Sequence, residues 1–303
     1  MKKTIIFSLA LLLSVPFWSA CKSDDPDGTS IFIDPDTQKT AFDEWLQDNY
    51  VNPYNIRYVY RMEDIETDFA YNVIPADVQK SKQMAILLKH LWLEPYEEVA
   101  NDKVHFIRST APKLFHLIGS AEHNANNGTI RLGVAEGGMK ITITEVNSLD
   151  PENFTDQTFF GTVHHEFGHI LNQTKNYPEE FNLISVEDYA PTTWQEWDRT
   201  DGTKTIDDAY KLGFVTAYAG KIYSEDFVEV LSRYIIWPRE RWNDVLTRAA
   251  AGGADGADKI EQKLEIVKNY MKSSWGVDID ELHTVVQRRA NEIRFIDFDN
   301  MDF

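Results

Sequence analysis

The chain has 303 residues, with 49 acidic and 30 basic side chains and a formal net charge of −19. Such a charge repels nucleic acid and anionic membrane surfaces, so we expect no nucleic-acid partner. Cys21 is the only cysteine, which excludes a fold held by internal disulfides. Aromatic residues make up 13% of the chain, enough for a substantial core.

Residues 1–20 have the pattern of a secretory signal peptide. Two lysines precede the apolar run 5–15, which is too short to span a bilayer, and Ser19 and Ala20 lead to Cys21. This order resembles the lipobox of bacterial lipoproteins, in which the cysteine is acylated and becomes the mature N-terminus. An ordinary signal peptide followed by a stray cysteine is the alternative.

We expect a lipidated cysteine and a flexible tether over residues 21–40, followed by one large domain over 41–303. The acidic stretch 22–25 resembles the export signal of surface-exposed lipoproteins of Bacteroidetes. Within the domain, we expect an α/β part over about 41–175 and a helical part over about 176–303.

Periodicity and turn residues predict an α+β fold with a mixed sheet. Predicted helices in the first half span 41–50 and 76–92, and predicted strands span 56–61, 104–107, 114–118, 129–134 and 140–146. The second half is mainly helical, with predicted helices at 156–174, 206–217, 225–236, 239–250, 259–273 and 279–294.

The most informative motif is His165-Glu166-Phe167-Gly168-His169, an H-E-x-x-H sequence within the predicted helix 156–174. Positions four apart share a helical face, so both imidazoles can bind one metal ion while Glu166 takes a proton from the water on that ion. His164 lies about 100° from His165 around the helix, so we expect it to be packed or substrate-facing. A buried helix with incidental histidines is the alternative.

A catalytic zinc needs a third protein ligand. In the metzincin pattern a histidine would stand at position 175, but that residue is Lys175, so this class is excluded. Glu225 and Glu229, one turn apart on a later predicted helix that Ser224 would cap, suit a metal ligand and a partner that orients a ligating histidine. A solvated acidic stripe is the alternative.

The motif, with a tyrosine, six residues and Glu-x-x-x-Glu behind it, resembles the gluzincin site of the anthrax lethal factor catalytic domain. It also resembles a family of zinc-binding metallopeptidase lipoproteins of Bacteroidetes, described as substrate import-associated zinc metallohydrolases. The resemblance implies a zincin-like fold, one Zn²⁺ ion bound by His165, His169 and Glu225, and catalysis by Glu166 and Tyr218. It implies that Glu229 supports a ligand.

The family resemblance further implies a peptide or protein substrate and an outer-membrane lipoprotein exposed at the cell surface. Its membrane attachment would be the lipid on Cys21, and a TonB-dependent importer would be its partner. By the same resemblance, strand 129–134 or strand 140–146 is the edge to which an extended substrate adds. The long, acidic and aromatic stretch between His169 and Tyr218 leaves the shape of the cleft open.

Two other functions remain compatible with the sequence. One is a surface binding lipoprotein with a structural or vestigial zinc site, although such a site requires neither Glu166 nor Tyr218. The other is a zinc amidase or esterase acting on a non-peptide substrate, because the chemistry at the carbonyl is shared.

Overall fold

The computed structural model describes residues 39–63, 66, 71–124, 130–131, 133–136, 139–151, 158–199 and 203–299. The expected signal peptide, Cys21 and nearly all of the tether lie outside these residues. Residues 41–303 form one compact unit. Among the described residues, no helix has the length and apolar character that crossing a membrane requires.

Two small sheets lie in the first half of the chain. The four-stranded sheet has the order β1 (Arg57–Val59), β3 (Leu114–Leu117), β7 (Lys140–Ile143) and β6 (Gly133–Glu136), and the three-stranded sheet has the order β2 (Tyr71–Asn72), β4 (Glu122–Asn124) and β5 (Ile130–Arg131). Strands β1, β3 and β7 are parallel, whereas β6 pairs antiparallel with β7 along Gly133↔Ile143 to Glu136↔Lys140. The sheet is therefore mixed.

Two sequence predictions about strands were wrong, and one of the two candidate substrate edges is removed. The predicted strand 129–134 is divided between β5 and β6, which belong to different sheets. Strand 140–146 is interior, since β7 pairs with β3 and β6, so it cannot be the substrate edge. Residues 104–107 belong to a helix, Lys103–Thr110, because the buried side chains of Phe106, Ile107 and Thr110 follow helical spacing.

Helices dominate the described chain. In order they are α1 (Ala41–Leu46), α2 (Asn52–Tyr54), α3 (Val78–Leu88), α4 (Glu94–Val99), α5 (Lys103–Thr110), α6 (Thr158–Thr174), α7 (Phe181–Ile184), α8 (Ile206–Lys211), α9 (Tyr223–Ile236), α10 (Arg239–Ala249), α11 (Gly256–Trp275) and α12 (Ile279–Glu292). Two π-helical turns, Gln47–Val51 and Lys89–Leu93, join α1 to α2 and α3 to α4.

Helix α6 carries the H-E-x-x-H motif, and its apolar arc is buried as predicted. Phe160, Val163, Phe167 and Ile170 are almost inaccessible to solvent. The Phe167 ring meets the ring of Trp92 edge-on at 5.2 Å, so aromatic packing fixes the rotation of α6 about its axis. That rotation directs the motif's histidines away from this aromatic core.

Helix α9 is the central helix of the second half and packs against α6, α11 and α12. Phe227, Val230 and Leu231 are buried. The helix begins two residues earlier than expected, at Tyr223 instead of Glu225. Ile222, with extended φ/ψ angles of −167° and 155°, occupies the N-cap position that we predicted for Ser224.

The predicted helix 206–217 ends at Lys211. Gly213 follows with φ at +90°, a left-handed conformation that ends a helix and favours glycine. Residues 214–217 then run as a loop to a 3₁₀ turn, Tyr218–Lys221, directly ahead of α9. This early stop places Thr216 and Tyr218 in an irregular segment beside the two long helices.

Candidate metal centre

His165 and His169 lie one turn apart on α6, with ring centroids 4.9 Å apart. His165 is 7% exposed, and His169 is partly buried. The H-E-x-x-H segment is therefore helical, and its paired imidazoles face the same neighbour, the start of α9.

Glu225, in the first turn of α9, meets both imidazoles. Its Oε2 atom lies 3.2 Å from Nε2 of His165 and 3.1 Å from Nε2 of His169. These three residues can each offer a ligand atom, all within 4.8 Å of one another. Ligand atoms about 2.0–2.1 Å from a tetrahedral zinc are about 3.3 Å apart, so the separations fit such an ion.

Glu229, one turn after Glu225 on α9, contacts His165. Its side chain is buried, and Nδ1–H of His165 donates to its Oε1 atom at 2.8 Å. That hydrogen bond fixes the tautomer that leaves Nε2 of His165 as the atom facing Glu225. Thr216 donates to Oε2 of Glu229 at 2.6 Å, and Arg233 donates to both carboxylate oxygens at 3.1 Å.

Thr216 and Arg233 were not predicted from the sequence. Arg233 stands four residues after Glu229, a spacing that could have indicated the ion pair. Thr216 gave no signal, because its role depends on where the helix before it stops. Together they satisfy a carboxylate that would otherwise be costly to bury.

The two carboxylates are strongly held in their charged form. Burial alone would raise the pKa of Glu225, but hydrogen bonds with His165 and His169 outweigh it and hold that pKa well below its usual range. Burial also opposes ionisation of Glu229, and Arg233 and His165 lower its pKa well below the usual range. In return, the two acids overcome desolvation and raise the pKa of His165 to about 9. The cluster of His165, His169, Glu225 and Glu229 thus favours a bound cation.

Tyr218 reaches the same cluster from the 3₁₀ turn. Its hydroxyl donates to Oε1 of Glu225 at 3.0 Å, and its ring centroid lies 5.8 Å from that of His165. Burial raises the pKa of Tyr218 to about 12, so the phenol keeps its proton at neutral pH. Lys221, which the sequence analysis did not consider, donates to the Tyr218 hydroxyl at 3.0 Å and to Oε1 of Glu225 at 3.2 Å.

A cleft of about 660 Å³ opens beside the cluster. Helix α6 lines it with Thr162, His165 and Glu166, so the acid of the motif faces the cavity. The remaining lining residues come from the segment 194–218 and from α9 and the residues after it: Trp194, Asp198, Ile206, Tyr210, Val215, Thr216, Ala217, Tyr218, Glu229, Arg233, Trp237 and Arg241.

The aromatic stretch before Tyr218 forms one wall of this cleft. The Trp194 ring meets that of Tyr218 edge-on at 5.0 Å. Trp197 packs where a β-carbon on Gly220 would stand, so the glycine permits the close approach. The backbone N–H of Ala190 donates to the carbonyl of Gly220 at 2.8 Å. The stretch between His169 and Tyr218, which left the shape of the cleft open in the sequence, therefore fixes the turn that carries Tyr218.

His164 takes no part in the cluster. It is fully buried, its Nδ1 atom lies 3.1 Å from the Tyr96 hydroxyl, and burial lowers its pKa to about 3. Of the two roles expected for His164, packed or substrate-facing, this position agrees with the packed one. In the described part of the chain, the group of His165, His169 and Glu225 is the one set of potential metal ligands.

Asp226, next to Glu225, forms a buried ion pair that the sequence did not suggest. Its Oδ2 atom lies 2.6 Å from Nζ of Lys263, and neither side chain is exposed. The Tyr189 hydroxyl donates to Oδ2 at 2.8 Å, and Lys263 also donates to the carbonyl of Gly213 at 2.7 Å. The pair connects α9 to α11 next to the candidate metal ligand Glu225.

Residues 35–280 match the model of a family described as putative zinc-binding metallo-peptidases. The chain is also similar to the crystal structure of a putative zinc-binding metallo-peptidase from Bacteroides caccae ATCC 43185. The two chains are 45% identical with a TM-score of 0.72, and the match covers 86% of this chain and 95% of the other. No curated protein matches the chain.

Proposed function

The chain belongs to the family of putative zinc-binding metallo-peptidases, and on that premise we propose that it is a zinc-dependent peptidase of the gluzincin type. One Zn²⁺ ion is bound by His165, His169 and Glu225. The observation that carries this proposal is the meeting of Oε2 of Glu225 with both Nε2 atoms beside a cleft that Glu166 lines.

The donor set suits zinc among the common metals. Two imidazole nitrogens and one carboxylate oxygen are the ligands of many catalytic zinc sites, which leave a fourth position open. Glu229 orients His165 through a hydrogen bond of 2.8 Å, as expected for the partner of a ligating imidazole. When bound, zinc supplies a Lewis acid that lowers the pKa of water toward about 7 and polarises a carbonyl.

Glu166 and Tyr218 have different roles in the proposed reaction. Glu166 accepts a proton from the attacking water and passes it to the departing amine. Tyr218, whose raised pKa keeps it protonated, donates a hydrogen bond to the oxygen that becomes negative in the transition state. A purely structural zinc site has no use for either group in a cleft.

We further propose that the substrate is a peptide bound in extended form along β6. Among the described strands, β6 ends its sheet and lies against α6, so its free backbone edge supports the addition of another strand. Of the two strands considered from the sequence, only the segment that includes β6 is compatible with this role.

The proposed location rests on the N-terminal sequence. The charged start, the apolar run 5–15 and the small residues before Cys21 support export and lipidation of that cysteine, with the domain at the cell surface of the outer membrane. Association with a TonB-dependent importer is part of the same proposal. Labelling cells with a fatty-acid probe tests the lipidation, because wild-type protein should incorporate label and Cys21→Ser should not.

The activity is tested with the lipid-free mature chain and a mixed peptide library. We expect cleavage that a chelator abolishes, that added zinc restores and that Glu166→Gln lacks. Bound zinc without any peptide cleavage would contradict the proposal. A parallel set of non-peptide amides and esters then distinguishes an amidase or esterase from a surface binding protein.

A further inference from the structure

The two carboxylate oxygens of Glu225 face different partners. Oε2 lies 3.1–3.2 Å from the Nε2 atoms of His165 and His169, while Oε1 accepts from Tyr218 at 3.0 Å and from Lys221 at 3.2 Å. The Glu225 side chain is only 14% exposed, so these contacts account for most of its polar surroundings.

We propose that Lys221 is a positioning residue that holds Oε1 of Glu225 and so reserves Oε2 for the metal, an inference that rests on the proposed zinc site. A carboxylate without this restraint can rotate and bind zinc through both oxygens, which would occupy the position that water needs. An ammonium group on Oε1 opposes that rotation.

The backbone places Lys221 for this contact. It ends the 3₁₀ turn that begins at Tyr218, and the extended residue Ile222 separates it from α9. Its Nζ atom lies over the Tyr218 ring, 4.8 Å from the ring centre, so the ammonium group contacts both the ring and the hydroxyl of the tyrosine. Thr216 holds the same turn, because its Oγ1 accepts from the N–H of Ala219 at 3.1 Å while the hydroxyl donates to Glu229.

Lys221 also has a second role, which follows from the number of hydrogen-bond donors available to Oε1 of Glu225. The Tyr218 hydroxyl has one proton to donate, and in the structure that proton goes to Glu225. If Tyr218 turns this proton toward the substrate oxygen, Oε1 of Glu225 loses a donor. Lys221 has three N–H donors and already contacts both oxygen atoms, so it keeps Oε1 satisfied while the tyrosine acts.

An exposed ion pair between residues four apart usually contributes little, and Lys221 is 37% exposed. The difference here is the partner, a mostly buried carboxylate whose other oxygen faces two imidazoles. Loss of an exposed pair would leave the metal affinity unchanged, whereas loss of a group that orients a ligand typically weakens it by about 10–100-fold.

The experiment measures zinc affinity by competition with a chromogenic chelator, which requires no substrate. Lys221→Met should bind zinc at least about tenfold more weakly than wild type, and Lys221→Gln should behave alike. Lys221→Arg should restore most of the affinity because it retains a charged donor. Lys272→Met, which removes a 71% exposed lysine paired with Asp278, is the matched control and should bind as wild type.

Wild-type affinity in both Lys221→Met and Lys221→Gln would overturn the inference, as would failure of Lys221→Arg to exceed the methionine variant. Glu225→Ala separates this result from failure of the proposed function. If wild type binds one zinc and Glu225→Ala loses it, the zinc site stands whatever Lys221 does. If Glu225→Ala binds zinc as wild type does, the proposed ligand set itself fails.

Discussion

Gly168 lies so close to Val228 that a β-carbon on the glycine would stand 2.8 Å from Cγ1 of the valine. This contact is where α6 crosses α9, one residue before His169 and three residues after Glu225. The glycine of the H-E-x-x-H motif therefore sets the distance between the helix that carries the imidazoles and the helix that carries the carboxylates.

Gly168→Ala should separate the two helices. Val228 is fully buried and β-branched, so it cannot turn aside easily, and overpacking of this kind costs about 1–3 kcal/mol. We expect a lower Tm and weaker zinc binding. Adding Val228→Ala makes room for the new methyl group and should recover part of the zinc affinity. Unchanged zinc binding in Gly168→Ala alone would show that the helix spacing is not tightly set.

Glu166→Gln keeps the shape of the side chain and removes its ability to accept a proton. Because Glu166 is not among the proposed ligands, we expect one zinc per chain, as in wild type. The rate constant kcat should fall by about 10²–10⁴-fold, the usual contribution of a general base. Metal content and peptide cleavage measured on one preparation test both parts. Full activity, or loss of the metal, would count against the assigned role.

The meeting of the two histidines with the two glutamates could be predicted in large part, because the spacing within each helix is a matter of local geometry. The spacing of His165 and His169 on one helix, and of Glu225 and Glu229 on another, determines which face each pair shares. The partners of these residues could not be predicted in the same way. Thr216 reaches Glu229 only because α8 stops at Lys211, a tertiary outcome that periodicity does not record.

The strands were harder to predict than the helices. Runs of four to six apolar residues occur in strands and in buried helices alike, which is why 104–107 was misassigned. The edge of a sheet is a property of strand order, and nothing in the segment 140–146 indicates that β3 and β6 flank it. The buried ion pair of Asp226 and Lys263 could not be predicted from the sequence either, because the two residues are far apart in the chain.

Lys263→Met should destabilise the protein strongly. It leaves Asp226 buried without its cation, and breaking a buried ion pair on one side costs about 3–5 kcal/mol. The double variant Lys263→Met/Asp226→Asn removes both charges and should be more stable than the single variant. Urea unfolding measures these differences, with Lys204→Met as an exposed control. A Lys263→Met protein as stable as wild type would contradict the importance of the pair.

His283 should make stability depend on pH. Burial and then Arg239 lower its pKa below the usual 6.5, against the opposing effects of its bond to the carbonyl of Tyr234 and of Asp280. From about pH 6.5 down to the lowered value, the unfolded chain binds a proton that the folded chain does not. Stability contributed by neutral His283 is therefore complete above pH 6.5 and is lost as the pH falls through this window.

The variant His283→Gln has no such proton to bind. Urea unfolding at pH 8 and pH 5 should therefore show a smaller loss of stability on acidification for His283→Gln than for wild type. His105→Gln alters an exposed histidine and serves as the control. Equal losses in His283→Gln and wild type would remove His283 as a source of the pH dependence.

The proposed ligand set predicts where zinc lies in a crystal of the metal-loaded protein, and anomalous diffraction at the zinc absorption edge locates the ion. We expect one peak, about 2.0–2.1 Å from Nε2 of His165 and of His169 and about 2.0–2.2 Å from Oε2 of Glu225. A peak that Glu225 does not reach, or none at the imidazole pair, would contradict this ligand set.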